Sequence, residues 1–439
     1  MTEALWVTGD SLTTLRALPD ACVDLIVTSP PFLALRSYLP ADHPDKGHEI
    51  GQEATPGAFL DVLLDLTEEL GRVLTPTGSL CVELGDTFSG SGGAGGDYGP
   101  DGMRDGQPKF RQGTPRWDGR PEGQVRTTTS DPAEVMASRP SGGAGWPQAK
   151  SLCLIPEMYR MALAYGVNPL TGRTTDPWRV RNVVRWCRPN PAPGALGDKF
   201  RPGTSEMVVA CKSARRWFDL DAVREPFKHP DANVRNLGRG GPTTGLKGPN
   251  LDRGDLGAGN FGSSTAGAPP LDWWEIPTQP YRSAHYATFP AALVVRPVKA
   301  MCPSEVCTTC GEPRRRITET TNAIPAAAAR HDEQQRRANT ADSNAWRKAT
   351  GDTSSDVRTL GWSDCGHGTY RPGRVLDPFA GSGTTLAVAT GHGRDGIGID
   401  LDHRNADLAR DRIGPMFFAE HTADTLAAQL ALDLEETAA

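Results

Sequence analysis

Two short stretches hold residue types that could do chemistry, and most of the chain lies between them. The first is Val27-Thr-Ser-Pro-Pro-Phe32, which cuts off an apolar run, Val23-Asp-Leu-Ile-Val27. Proline cannot donate to a sheet ladder, so a buried strand must stop there with its carbonyls unconsumed. Ser29 and the Pro30 carbonyl are then hydrogen-bond acceptors at a strand end, with Pro31 stiffening the exit and Phe32 offering a flat ring beside them.

The second stretch is "GRVLDPFAGSGTT", residues 373–385. A buried strand ends at Asp377, passes through a glycine loop and enters a helix at about Gly383. A phosphate-binding P-loop needs Lys where Thr384 stands, and the dinucleotide fingerprint needs three spaced glycines rather than Gly381-Ser382-Gly383 followed by Thr384-Thr385. What is left is a loop whose backbone can approach a ligand closely, beside the carboxylate of Asp377. That suits a ligand with a positive group and no phosphates, and S-adenosyl-L-methionine (AdoMet) is such a ligand. The next strand, Gly396-Ile-Gly-Ile-Asp400, ends in an acid able to accept from both ribose hydroxyls. Each such charge-assisted bond contributes about 1.5–3 kcal/mol.

A third cluster is metal-like. Cys307-x2-Cys310 and Cys365-x-His367 give four soft ligands from two short turns, the donor set of a tetrahedral structural zinc. Cys302 is a spare that could replace His367. The long arm between the pairs, residues 311–364, lowers the specificity of the pattern, and unrelated loop thiols are the alternative. The expected role of the metal is to pin that arm.

These groups need a scaffold. Residues 4–85 read as compact α/β, with short strands at Leu5–Val7, Leu25–Val27 and Ser79–Leu84, a helix begun by Thr55-Pro56, and a turn at Pro76-Thr-Gly78. Residues 86–150 are Gly/Pro-rich, with few aliphatics. Order returns over 151–228, with a helix near Ile155–Tyr165 and strands near Val180–Trp186 and Glu206–Cys211. Residues 229–284 are again Gly-rich, 285–310 are ordered, 311–364 are loosely patterned, and 365–439 hold a strand–turn–helix–strand–helix unit. The class is a doubly wound, mostly parallel α/β sheet with large loop-rich insertions.

Composition bounds the partners. The 439 residues carry a formal net charge of −6, so a polyanion would have to be met by local Lys/Arg clusters. Residues 101–126 and 199–235 hold mild excesses of this kind, with Trp117, Trp217 and Phe218 among them. No apolar run approaches the roughly 20 residues of a membrane span. Nine cysteines at uneven spacing suit thiols and metal ligands in a reducing cytoplasm.

Taken together, "TSPPF" and "DPFAGSGTT" resemble the amino-directed DNA methyltransferases, and the order of the two motifs resembles the beta group of that family. Thr8-Gly9-Asp10 resembles its adenine-contacting segment. "RVLTPTGSL" resembles the helix–turn–strand after the catalytic loop, and the Arg-rich stretch from Val183 onward resembles the part that helps hold an extruded base. "HYATFPAALV", with Phe289, resembles the segment closing over the cofactor. The resemblance implies a Rossmann-like AdoMet-dependent fold, double-stranded DNA as partner, target recognition within 229–284, and a cognate restriction endonuclease as a candidate companion.

It also implies roles. Asp10, Phe289, Asp377, Pro378, Phe379, Gly381, Ser382, Gly383, Thr384, Thr385 and Asp400 would hold AdoMet. Ser29, Pro30, Pro31 and Phe32 would hold the target base. An exocyclic amine is a poor nucleophile until an out-of-plane acceptor draws it towards sp3 geometry, which Ser29 and the Pro30 carbonyl would do while Phe32 stacks. No cysteine follows a proline, which argues against carbon-5 methylation. Serine at the first motif position resembles the cytosine-N4 members more than the adenine-N6 members. The adenine-N6 reaction, and a DNA-binding subunit without catalysis, are the rival expectations.

Overall fold

The computed structural model describes residues 2–35, 38–39, 42–90, 143–191, 199–226, 267–279, 289–322 and 355–435. Most of the 86–150 insertion with Trp117, much of 229–284 and of the 311–364 arm, and residues 285–288 of the cofactor-closing segment lie outside these. The chain forms two compact units. The first comprises Met1–Phe218, Asp272–Pro313 and His367–Ala439; the second comprises Asp219–Leu271 and Arg314–Gly366.

The first unit begins with β1 (Ala4–Thr8), α1 (Ser11–Ala17) and β2 (Val23–Thr28). Every residue of β2 is buried, Asp24 included, and Asp24 accepts from the Arg371 guanidinium at 2.7 Å and the Arg374 backbone at 2.9 Å. A buried acid needs such partners. α2 (Pro56–Val73) starts as the sequence predicts, with the Thr55 hydroxyl accepting from Ala58 N and Pro56 in the first turn. β3 (Leu74–Leu84), α3 (Ile155–Tyr165), β4 (Arg179–Cys187), β5 (Thr204–Cys211), β6 (Trp273–Glu275), α4 (Ala291–Met301) and β7 (Glu305–Cys307) follow. β8 (Arg316–Asn322) and β9 (Ser355–Trp362) belong to the second unit. The chain then returns to the first with β10 (Tyr370–Pro372), β11 (Arg374–Asp377), α5 (Thr384–Gly391), β12 (Asp395–Asp400), α6 (Arg404–Ile413), β13 (Phe418–His421) and α7 (Ala423–Glu435).

Among the described residues nine strands form one sheet in the order β13-β1-β12-β11-β2-β3-β5-β4-β6, and β5 runs against the rest. β11 and β2 are parallel neighbours, with Val375 opposite Leu25 and Leu376 opposite Ile26. From β11 the chain crosses to β12 on one side; from β2 it crosses to β3 on the other. That reversal is a topological switch point, where the carboxyl ends of strands open a crevice for ligands. Both chemistry-bearing motifs therefore leave the sheet at its switch point.

The turn expected at Pro76-Thr-Gly78 lies inside β3 as an irregularity. Val23 pairs with Leu74 but Leu25 pairs with Ser79, so the extra residues bulge from the ladder. Gly78 lets this bulge close, because a β-carbon there would stand 2.9 Å from the Asp24 carbonyl.

In the second unit β8 and β9 pair antiparallel. Asp219 is held by the guanidinium of Arg316 at 2.7–3.1 Å, and Arg316 lies over the Trp362 ring. The sequence reading left 311–364 as an arm without regular elements. Its two ends form strands because each supplies the other's ladder partner, a pairing that local patterning does not reveal. Among the described residues no helix is long and apolar enough to cross a membrane.

Candidate active site

The glycine loop is built around Asp377. Its Oδ1 accepts from Thr28 Oγ1 at 2.7 Å and from Phe379 N at 3.1 Å, and its Oδ2 accepts from Thr385 Oγ1 at 2.6 Å. The residue is fully buried, and burial pushes its carboxyl up to about 6 against those donors. The sequence reading set this carboxylate beside a ligand's positive group. The structure turns it inward, and the groups left to a ligand are the loop's own backbone and the Ser382 hydroxyl.

Other residues fix the same loop. Ser11 Oγ donates to the Pro378 carbonyl at 2.6 Å, and Arg412 donates to Thr384 Oγ1. The Ser382 hydroxyl is buried with no hydrogen-bond partner among the described residues. Gly381 and Gly383 both adopt positive φ, and a β-carbon on Gly383 would lie 2.8 Å from that of Ala409 in α6. Gly383→Ala is expected to destabilise the fold by about 1–3 kcal/mol, combining a strained φ with a clash, and a thermal melt reads it.

Asp400, at the carboxyl end of β12, is half-buried. Its Oδ2 accepts from Gly381 N at 2.7 Å, and its Oδ1 from Asp402 N at 2.9 Å and Asn405 Nδ2 at 2.8 Å. Burial pushes this carboxyl also up to about 6. Beside it, Gly9 N donates to the Asp400 carbonyl, and Asp10 caps α1 by accepting from Thr13 N and Thr13 Oγ1, both on Oδ1. A cavity of about 540 Å³ opens at the ends of β1 and β13, with Gly9, Asp10, Thr13 and His421 in its wall. Phe289 is half-buried just ahead of α4. Gly396 and Gly398 of β12 lie under Leu386 of α5, whose atoms are 2.8–3.1 Å from the positions of their missing β-carbons. The loop-bearing helix therefore packs tightly on the sheet.

The Ser-Pro-Pro-Phe strand end stands next to this loop, joined to it by the Thr28–Asp377 bond. Ser29 Oγ donates to Glu83 Oε2 at 2.6 Å. Its only hydrogen is thereby committed, so its lone pairs are what it can offer to an incoming N–H group. Glu83 is buried in β3, and burial pushes its carboxyl up, opposed in part by the Ser205 and Ser29 hydroxyls and the charge of Arg188. Pro30 is buried, while Pro31 and Phe32 are half-buried. The Phe32 ring lies against the backbone of Gly85, where a β-carbon would meet Cε2 at 2.5 Å.

Sequence reasoning missed Glu83, Gly85, Ser11, Asn405 and the link through Thr28. One signal was present: a glutamate inside the apolar strand Ser79–Leu84 is costly unless partnered.

The cysteine–histidine residues lie away from this crevice in the fold's layout, on the β7–β10 pair. Tyr370 pairs with Cys307, which brings His367 Nδ1 to 3.4 Å from Cys307 Sγ. The ligand atoms of Cys307, Cys310 and His367 all lie within 4.8 Å of one another. Thr309 N donates to Cys307 Sγ, and Gly311 takes positive φ to close the turn. Cys365 falls in the second unit, two residues before His367 in the chain. Cys302, the spare, is buried against Gly373 and takes no part in this cluster.

The sequence has relatives among known proteins. The family model described as "DNA methylase", for N6/N4 methyltransferases, matches residues 23–306 and 367–411. The chain is 29% identical over 242 residues to the Type II methyltransferase M.SfiI of Streptomyces fimbriatus, covering 55% of this chain and 44% of that protein. It is 25% identical over 406 residues to the Type II methyltransferase M.XycI of Xanthomonas campestris pv. cyanopsidis, covering 92% and 86%. Among solved structures, the PvuII DNA methyltransferase (cytosine-N4-specific) aligns over 99% of this chain and 96% of that one, with 12% identity and a TM-score of 0.43. With three quarters of its length under one family model, and both motifs leaving adjacent strands of one sheet, the chain belongs to the DNA methylase family of N6/N4 amino-methyltransferases.

Proposed function

We propose that this protein transfers the methyl group of AdoMet to the exocyclic N4 amine of cytosine in double-stranded DNA, at a defined sequence. The observation that carries the reading is the Thr28–Asp377 hydrogen bond between the neighbouring strands β2 and β11. It supports one crevice in which an amine held at Ser29 and Pro30 meets a methyl group presented over the glycine loop.

In this reading Asp377 shapes the loop with Pro378, Phe379, Thr384 and Thr385. Gly381, Ser382 and Gly383 pass close to the methionine end, Asp400 accepts from the ribose, Asp10 lies at the adenine, and Phe289 closes over it. AdoMet supplies an electrophilic methyl carbon. Phe32 stacks on the extruded cytosine, offsetting part of the few kcal/mol that extrusion costs. Ser29 Oγ and the Pro30 carbonyl accept from the amine and direct its lone pair at the methyl carbon. As the N–C bond forms, the C–S bond breaks with its electrons going to sulfur, and the cationic amine then gives its proton up to water. Holding the two groups in line accounts for up to about 7–11 kcal/mol of barrier lowering.

Residues 229–284 are assigned to sequence recognition. A cognate restriction endonuclease is the expected companion, in keeping with the Type II relatives. Ser29 supports cytosine N4 over adenine N6. Nucleosides hydrolysed from the DNA of an expressing host should contain N4-methylcytosine. N6-methyladenine would overturn the choice of base, and unmodified DNA would overturn the activity.

Cys307, Cys310 and His367, with Cys365 two residues away in the chain, are assigned to a structural zinc ion. Their thiol and imidazole donors fit that metal and have no place in the transfer chemistry. The purified protein should carry about one zinc per chain. Cys307→Ser should lower that content and the melting temperature, and a metal-free wild-type protein of unchanged stability would refute the assignment.

A further inference from the structure

One feature at the carboxyl edge of the sheet is unexplained by the crevice. Phe200 is 99% exposed, more than any other large apolar side chain among the described residues. It stands between Lys199 and Arg201, and the stretch leads through Pro202 and Gly203 directly into β5. Gly203 O accepts from Arg188 N at 2.7 Å, which ties the stretch back to the end of β4. Lys199 Nζ sits 3.5 Å above the ring of Phe88, just beyond β3, so the base of the stretch is anchored while Phe200 is not.

The placement matters. Leu84, at the end of β3, pairs with Glu206 of β5, so Phe200 leaves the sheet at the edge where Ser29 and the glycine loop stand. β5 is two strands from β2, roughly 10 Å at ordinary sheet spacing. Arg188, which secures the stretch, also acts on Glu83, the partner of Ser29. An aromatic ring held fully in water, flanked by cations that suit phosphates and set beside a base-holding site, has the features of a duplex wedge.

Resting on the DNA methyl-transfer reading above, we propose that Phe200 enters the duplex and stacks in the gap left by the extruded base. A ring there replaces the stacking the neighbouring base pairs lose, and so holds the open state long enough for transfer. Its role is to position the target; it touches no reacting atom.

The test uses the full-length protein and the site mapped from host DNA. Wild type, Phe200→Ala and Phe200→Trp are compared on a paired duplex and on one whose target cytosine faces an abasic nucleotide. Phe200→Ala should lower kcat/KM on the paired duplex by roughly 10–100-fold, the scale of one lost base–aromatic stack. Phe200→Trp should restore most of it. Opposite the abasic nucleotide, where extrusion costs least, the alanine deficit should shrink to about 3-fold or less. AdoMet affinity should not change. Equal deficits on both duplexes, or none on either, would overturn the assignment. A wild-type protein that methylates neither duplex would instead overturn the underlying reading, and the wedge with it.

Discussion

Ser29→Ala is expected to lower kcat by about 10²–10³-fold while leaving AdoMet affinity unchanged. In the proposed reading the hydroxyl accepts from the amine, and it bonds to Glu83 rather than to the glycine loop, so its loss would remove an acceptor that matters as the amine pyramidalises. Single-turnover methylation alongside cofactor titration separates the two effects, and equal losses in both would contradict the assigned role. Glu83 adds a pH signature. While it is ionised it takes the Ser29 hydrogen and leaves the serine lone pairs outward. Burial holds its carboxyl above the usual range, so acidification protonates it early and gives Ser29 a donor where it had an acceptor. Activity should therefore fall on the acid side at a higher pH than an exposed carboxylate would give. Glu83→Gln, which cannot titrate, should be slower at neutral pH and lack that acid limb.

Asp400→Ala should weaken AdoMet binding by about 10²–10⁴-fold, the equivalent of two charge-assisted bonds to the ribose. The structure adds a second reason: the same carboxylate holds Gly381 N at 2.7 Å, so its loss also loosens the loop. Calorimetry with AdoMet reads the change, and affinity within a few-fold of wild type would remove Asp400 from the cofactor site. Stability should move with pH as well. Asp377 and Asp400 both have carboxyls raised from 3.8 to about 6. A raised acid gives stability that is complete below its unfolded pKa and lost as pH climbs through the folded one. The ligand-free protein should thus lose stability between about pH 4 and 6, by roughly 3 kcal/mol for the fully buried Asp377. Asp377→Asn should flatten that slope.

The strands and helices that frame the crevice were legible because their patterns are local. β2 is an apolar run interrupted only by Asp24 and ended by prolines, and α2 opens with Thr55-Pro56. The two motifs were legible as separate pieces of chemistry. The way they meet was less so: Thr28 is an ordinary strand residue until Asp377 stands beside it. Glu83 was overlooked because strand patterning registers a lone acid as noise, and its meaning comes from groups distant in sequence, Ser29 at the end of β2 and Ser205 on β5. The inward turn of Asp377 could not be read either, since it depends on donors from both Thr28 and Thr385. Likewise β8 and β9 each lack a strong pattern, and pairing alone makes them strands.

The strand order carries a consequence for synthesis. Among the described residues β1 has no sheet neighbours other than β12 and β13, and the inner neighbour of β2 is β11. All three arrive with Arg374–His421, so during synthesis β1 stays unpaired on both sides, and β2 on one, until roughly 350–400 further residues have been made. At typical elongation rates that is roughly 20–80 s. During that interval apolar edges are open to aggregation, and productive expression should respond to chaperone supply more than the finished protein's stability would suggest.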